Sequence, residues 1–208
     1  MSMASDARLG EIARHQHGVF SRAQVLAVGF GAGQIERRVR AGVWHRVFPR
    51  VYRFAGAPSS PAQSCWAAVL WCGPGCALSH TTAAAIWRLG SVPLGQPDLV
   101  VTRNRAPRVD GVAVHRIARL DGADVANVRR LPVTSPVRTI IDLAGVLAPG
   151  DLERVIASAR SRRLVTVRAV LGRLDELGSV GRPGAALLRT LLAPIGSVWV
   201  DRSARMAG

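Results

Sequence analysis

The stretch Gly33–Phe54, GQIERRVRAGVWHRVFPRVYRF, changes its period halfway and keeps its positive charge throughout. Its first part reads as a helix from about Ala32 to Ala41, with Ile35 and Val39 on one face and Gly42 as the stop. After Gly42 the period becomes two. VWHRV and VYRF are short strands around FPR, where Pro49 suits a turn. Arg37, Arg38, Arg40, Arg46, Arg50 and Arg53 are spread over both parts.

Upstream, Ser21 stands three residues before Gln24, the spacing of a capping box, and Phe20 and Val25 fall where a hydrophobic staple forms. A helix is expected from Arg22 to near Gly29, followed by the tight connection GFGAG. Ser5 can cap an earlier helix, about Asp6 to Gln16, with Leu9, Ile12 and Ala13 on one face. Gly18 breaks it, and GVF is a short strand or turn. Three helices and a basic hairpin describe a winged helix-turn-helix over residues 5–55. The change of period is then the change from recognition helix to wing.

On a helical wheel the face opposite Ile35 holds Gly33, Gln34, Arg37, Arg40 and Ala41. A major groove admits a helix, arginine donates twice to guanine, and glutamine suits adenine. Gln34 and Arg37 are therefore the candidates for base edges, and Arg38 and Arg40 for phosphates. Ser21 and Arg22, opening the second helix, offer amides and a hydroxyl to a phosphate. Arg46, Arg50 and Arg53 suit phosphates or a narrow minor groove. Trp44, Val47, Val51 and Tyr52 are read as packing the wing onto the helices. The plain alternative is a surface helix kept soluble by its arginines.

Composition agrees without deciding. The net charge is +15 over 208 residues, and all 28 basic residues are arginine. The absence of lysine, with abundant Ala, Gly and Val, looks like GC-rich coding. The sharper reading of the charge is a polyanionic partner, most often nucleic acid. Residues 1–55 carry 9 Arg against 3 acids, a denser excess than the 19 against 10 in the remainder. No apolar run reaches membrane-spanning length, and MSMASDARLGEIARHQHG is no secretory signal. Three cysteines are an odd number for a disulfide scaffold. A reduced, cytoplasmic and nucleoid-associated protein is expected.

AGAPSSPAQS, Ala55–Ser64, marks a boundary. Beyond it a mixed α/β domain is expected over residues 62–192, with a helical C-terminal half and a loose tail at 193–208. The overall class is α+β. Helices are read at CWAAVLWC, TTAAAIWRL, VRTIIDLAGVL, DLERVIASARSRRL, VRAVLGRLDEL and GRPGAALLRTLL, and strands at CALS, PDLVVTR, VAVHRI and RLPVT. Ser135–Pro136 is an N-cap followed by proline at the first helical position.

Reactive groups are sparse. Cys65, Cys72, Cys76 and His80 could complete a tetrahedral zinc site, but their spacing is not of the paired C-x-x-C kind, and small buried hydrophobes are preferred. His80 stands at a strand-to-helix junction, where fixing the junction is a plainer role than acting as a base. Arg138 and Asp142 have the spacing of a helical ion pair. The pairs Asp151/Glu153 and Asp175/Glu176 could imitate metal carboxylates but fall on polar faces or near helix starts. With no lysine, neither a phosphate-binding P-loop nor a restriction-type nuclease centre can be assembled. No catalytic residue, metal or cofactor is expected, and the protein is read as not an enzyme.

The string RHQHGVFSRAQVLAVGFGAGQIERRVRAGVWHRVFPRVYRF resembles the N-terminal winged helix of AbiEi-family antitoxins of type IV toxin–antitoxin systems. VLWCGPGCALSHTTAAAIWRLG, VTRNRAPRVDGVAVHRI, LPVTSPVRTIIDLAG and GRPGAALLRTLL resemble the domain that follows it in actinobacterial members. The resemblance runs from roughly Arg8 to Leu192. It implies a repressor of its own promoter that opposes a nucleotidyltransferase-type toxin without forming a stable complex. It places Ser21, Arg22, Gln34, Arg37 and the wing arginines against duplex DNA. A homodimer would make the operator an inverted repeat. Many similar chains continue into a Vsr-like endonuclease, and VDRSARMAG resembles the start of that join. A truncated relic or accessory subunit of such an endonuclease is therefore the alternative. An interaction protein whose winged helix binds another protein is a third reading.

Overall fold

Residues 3–90, 92–93, 95–105, 107–178 and 182–194 are described in the computed structural model, which is mixed α and β. The first elements are α1 (Met3–His15), β1 (Val19–Ser21), α2 (Arg22–Ala27), α3 (Ala32–Arg40), β2 (Trp44–Phe48) and β3 (Val51–Phe54). The three strands form an antiparallel sheet in the order β1-β3-β2. Helix α2 starts because Ser21 and Gln24 satisfy each other. The Ser21 Oγ accepts from the Gln24 amide at 3.2 Å, and the Ser21 amide donates to Gln24 Oε1 at 2.8 Å. Phe20 and Val25 are fully buried on either side of this cap. Pro49 and Arg50 form the hairpin tip, with Arg50 at φ 64. The Arg50 carbonyl accepts the Arg22 amide at 2.7 Å.

This small sheet is covered on both faces. Phe20, Trp44 and Tyr52 pack with Leu9, Val25 and Ile35 from the three helices and with Phe30 between α2 and α3. The rings of Phe20 and Trp44 meet edge to face at 5.0 Å. Val19 and Val51 instead join Cys65, Trp66 and Ala68 of α4 (Pro61–Cys72). Successive strand residues point to opposite faces, so Val19 and Phe20 serve different layers. Helix α4 is held in place from its first turn. Ser60 caps it, with Oγ accepting from the Gln63 amide at 3.1 Å, and Pro61 occupies the first helical position. Buried Gln63 donates its Nε2 to the carbonyls of His17 at 2.8 Å and Pro58 at 3.1 Å.

The second sheet comprises β4 (Cys76–Leu78), β5 (Asp98–Thr102), β6 (Ala113–Ile117), β7 (Val125–Val128) and β8 (Leu131–Thr134). Its order is β6-β5-β4-β8-β7, with β5–β6 and β4–β8 parallel and the other pairs antiparallel. Strand β7 was not expected from VANV, which has neither alternation nor aromatic residues. Leu78, Leu99, Val101 and Val133 pack with α4. Helix α5 (His80–Trp87) lies between β4 and β5, while α6 (Pro136–Leu143), α7 (Pro149–Ser161), α8 (Val167–Leu177) and α9 (185–194) follow β8, and together they build a separate core around Ile140, Leu152, Leu174 and Leu188. The tail from 195 to 208 lies outside the described residues.

Helix α6 is the centre of that core, with every residue from Arg138 to Leu143 buried. Ser135 caps it, and Arg138 carries a full charge into the interior with no exposed surface. Arg138 Nε donates to Asp142 Oδ1 at 2.8 Å, and Nη1 donates to Asp124 Oδ2 at 3.0 Å and to the Arg119 carbonyl at 3.2 Å. Asp124 also accepts from Arg173 of α8, at 2.9 Å on Oδ1 and 2.7 Å on Oδ2. The expected Arg138–Asp142 helical pair is thus present, as part of a larger network.

The start of α9 is pressed against the end of α6. At Gly184, with φ +75, a β-carbon would lie 1.8 Å from the Ala144 carbonyl oxygen. Gly184→Ala is expected to destabilise the protein by more than about 2 kcal/mol, since strain and a backbone clash coincide, as a urea titration would show. Arg138→Ala should cost about 3–5 kcal/mol in the same measurement, because it leaves buried Asp142 without its charge partner and Asp124 with Arg173 alone.

Candidate nucleic-acid interface

The cap and packing contacts divide the arginines of residues 1–55 into two groups. On α3, Gly33, Arg37, Arg40 and Ala41 are exposed, as the wheel implied. Gln34 is half-buried, and its Oε1 accepts from the Gly31 amide at 2.7 Å. Its side chain therefore folds back over the helix start and leaves only the Nε2 amide group for a base. Arg38 flanks the core rather than the open face. Its guanidinium lies 4.5 Å from the centre of the Phe30 ring and 5.2 Å from that of Trp44, and it pairs with Asp6 at 2.7 Å.

The hairpin shows the same division. Arg46 Nη2 bonds both oxygens of Glu36 at 2.7 Å, and Arg53 Nη1 donates to the Ala57 carbonyl at 2.8 Å. Arg50 at the tip and Arg40 on α3 are exposed and make no ion pair among the described residues. Arg22, Arg46 and Arg50 line a cleft of about 1290 Å³, together with Trp71, Cys72 and Pro74. The amides of Ser21, Arg22 and Gln24 are already taken by Gln24, Arg50 and Ser21. The start of α2 thus offers an anion its Arg22 guanidinium and the donating side of the Ser21 hydroxyl, rather than those three amides. Of the arginines around α3 and the hairpin tip, Arg37, Arg40, Arg46 and Arg50 are exposed and Arg22 is half-buried.

The cysteines do not gather with His80. Cys65 lies in the core, where burial pushes its thiol up to about 11. Cys72 and Cys76 are free thiols that share a hydrogen bond, and that hydrogen bond together with Arg105 brings Cys72 down to about 7 against the opposing effect of burial. The Cys76 thiol is raised by the same bond and by burial. Among the described residues no three Cys, His, Asp or Glu side chains are grouped to hold a metal ion.

His80 belongs to a different cluster. It opens α5 at φ 45, and its Nδ1 lies 3.0 Å from Ser79 Oγ. Its ring stacks on that of His115, with centres 3.6 Å apart and planes 19° apart. His115 Nε2 lies 2.8 Å from Asp98 Oδ1, and Asp98 Oδ2 accepts from the Thr81 hydroxyl. Burial opposes the Asp98 charge, but His115 and Thr81 outweigh it and hold the carboxyl below its ordinary value. Asp98 and His115 were not singled out in the sequence. They meet because β5 and β6 run parallel with Val100 opposite His115, which puts Asp98 one step along the same face.

No family model matches the chain, and no curated protein matches it. Among solved structures, the chain is similar to the RV2827C protein from Mycobacterium tuberculosis, at 20% identity and a TM-score of 0.45. The match covers 91% of this chain and 80% of that one. At that distance the likeness says nothing about what this chain binds.

Burial holds His80 down to about 3, helped by His115 and Arg138 and opposed by Asp98. Between its ordinary value of 6.5 and about 3, the unfolded chain takes up a proton at this site that the folded chain lacks. Folding stability is therefore expected to fall as pH drops through that window. Urea unfolding at pH 7, 5.5 and 4.5 should show this slope, and His80→Gln should make it shallower.

Proposed function

We propose that the chain is a sequence-specific DNA-binding transcriptional repressor, acting as the antitoxin of a type IV toxin–antitoxin system. The order α1-β1-α2-α3-β2-β3, with its three-stranded antiparallel sheet, supports reading residues 5–55 as a winged helix-turn-helix. In that reading α2 and α3 are the helix-turn-helix, α3 enters the major groove, and the β2–β3 hairpin is the wing. The observation that carries the proposal is the placement of Arg37 and Arg40 on the exposed face of α3, with Arg22, Arg46 and Arg50 around the hairpin tip. Five guanidiniums on one small unit suit a phosphate backbone.

Arg37 is assigned to a base edge, and Arg22, Arg40 and Arg50 to phosphates. The partner is duplex DNA of the chain's own promoter. The functional counterpart is a nucleotidyltransferase-type toxin, and the chain itself has no catalytic role. Action on DNA places it in the cytoplasm, at the nucleoid. Among the described residues no helix is long and apolar enough to cross a membrane.

Fluorescence anisotropy with its upstream DNA, against a scrambled duplex and over a salt series, tests the proposal. Tighter binding to the upstream duplex is expected. Arg37→Ala should cost about 1–3 kcal/mol of that preference, while Arg40→Ala should weaken both duplexes and reduce the salt slope by about 0.9. Glu36→Ala, which frees Arg46, should tighten binding to both. Equal binding to the two duplexes would remove the repressor reading, and binding to neither would remove DNA as the partner.

A further inference from the structure

The cleft at the hairpin tip is lined by two thiols as well as by arginines. Cys72 ends α4 and Cys76 begins β4, and Gly73-Pro74-Gly75 joins them. Gly73 at φ 75 and Gly75 at φ 81 turn the chain back over these three residues. The turn sets the two side chains next to each other, and they share a hydrogen bond. Cys76 Sγ also donates to the Gly73 carbonyl at 3.2 Å. Hydrogen-bonded sulfurs need little movement to reach the disulfide bond length of about 2.05 Å.

Arg105, from the loop after β5, straps this turn. Its guanidinium donates to the carbonyls of Cys72 and Pro74, the latter at 2.6 Å. It also acts on the Cys72 thiol, by charge and by a hydrogen bond. A cation and a neighbouring thiol both favour the Cys72 thiolate, and together they outweigh burial. Cys76 is held in the thiol form by the same hydrogen bond and by burial. A thiolate beside a protonated thiol has the two parts of a dithiol couple, one to attack and one to resolve. Cys65, on the same helix, is the contrast. It does not line the cleft, and burial raises its thiol. Access selects the oxidant. Only 7% of Cys72 and 5% of Cys76 is exposed, which admits a small uncharged molecule and keeps out a bulky disulfide.

We propose that Cys72 and Cys76 are an oxidation site for hydrogen peroxide, with Cys72 attacking, Cys76 resolving and Arg105 holding the thiolate. The Cys72 thiolate attacks one peroxide oxygen and the O–O bond breaks. The departing hydroxide takes up the proton that Cys72 gave up, which makes the first water. Cys72 is then a sulfenic acid. The Cys76 sulfur attacks the Cys72 sulfur, the S–O bond breaks, and the hydroxyl leaves with the Cys76 proton as the second water. The two thiols lose two electrons, and peroxide gains them. The disulfide closes a ring across Gly73-Pro74-Gly75 and ties the end of α4 to β4. The site is independent of the DNA surface and stands if that reading fails.

Treatment of the full chain with about a tenfold excess of hydrogen peroxide at pH 7, then alkylation in denaturant and intact mass measurement, tests this. Before alkylation the chain should be about 2 Da lighter, for two lost hydrogens. Afterwards Cys65 alone should be alkylated, and fragment spectra should place the link between Cys72 and Cys76. In Cys76→Ala the sulfenic acid should persist on Cys72 and be trapped by dimedone, whereas Cys72→Ala should give neither product. Arg105→Met should slow the oxidation at least about threefold. If a variant fails to fold, the fragment spectra of the unaltered chain decide alone. Three alkylated thiols after peroxide would overturn the proposal. So would a link through Cys65 or between two chains. A rate unchanged by Arg105→Met would overturn the role given to that arginine.

Discussion

A guanidinium with no contact with water sits at the middle of the α/β part of this protein. Arg138 can be there only because Asp142, Asp124 and the Arg119 carbonyl surround it. Taking such charges out of water costs several kcal/mol each, and the bonds on Nε and Nη1 offset part of that cost, while Nη2 is buried with no hydrogen-bond partner among the described residues. The geometry ties together three pieces of chain. Asp142 is on the same helix, Asp124 ends the short turn before β7, and Arg173 reaches Asp124 from α8. Burial opposes the Asp124 charge, yet Arg173, the Asp121 amide and Arg138 prevail and hold its carboxyl below the ordinary value. At Asp142 burial wins over Arg138, and its carboxyl is raised. The two acids share one arginine but not its benefit equally.

Around residues 1–55 the same competition is milder, because most of the arginines stand at the surface. An exposed pair such as Arg46–Glu36 contributes at most about 1 kcal/mol, so a phosphate can displace Glu36 readily. Arg38 is different. Stacked over two aromatic rings and paired with Asp6, it stabilises the junction of α1, α3 and the sheet. Two arginines adjacent in sequence thus do different work, because Arg37 faces outward and Arg38 lies 100° round the helix on the margin of the core.

Features fixed by neighbours in sequence were legible. Ser21 with Gln24, Ser135 with Pro136, and the change of period at Gly42 each depend on a few consecutive residues, and the structure has them where they were expected. Element boundaries differed by a residue or a few; the first helix, for example, starts at Met3 instead of Asp6. Features fixed by distant partners were not legible. CWAAVLWC is apolar all round, which says that α4 is buried but not that it lies between two sheets. The wheel gave Gln34 an outward position but could not show its amide turned back to Gly31. The His80 cluster depends on the parallel register of β5 and β6, and no spacing along the chain encodes that.

The two-sided small sheet also sets an order of events during synthesis. The chain can complete one face as soon as β3 has followed α1 to α3 out of the ribosome, through Phe20, Trp44 and Tyr52. The other face, with Val19 and Val51, stays wet until Pro61–Cys72 emerges and coils into α4. In a chain made from its N-terminus at a few residues per second, that interval lasts on the order of seconds. The tip of the hairpin is anchored before then, by the Arg22 amide on the Arg50 carbonyl. The nascent sheet therefore waits for its second cover with its strand register already set.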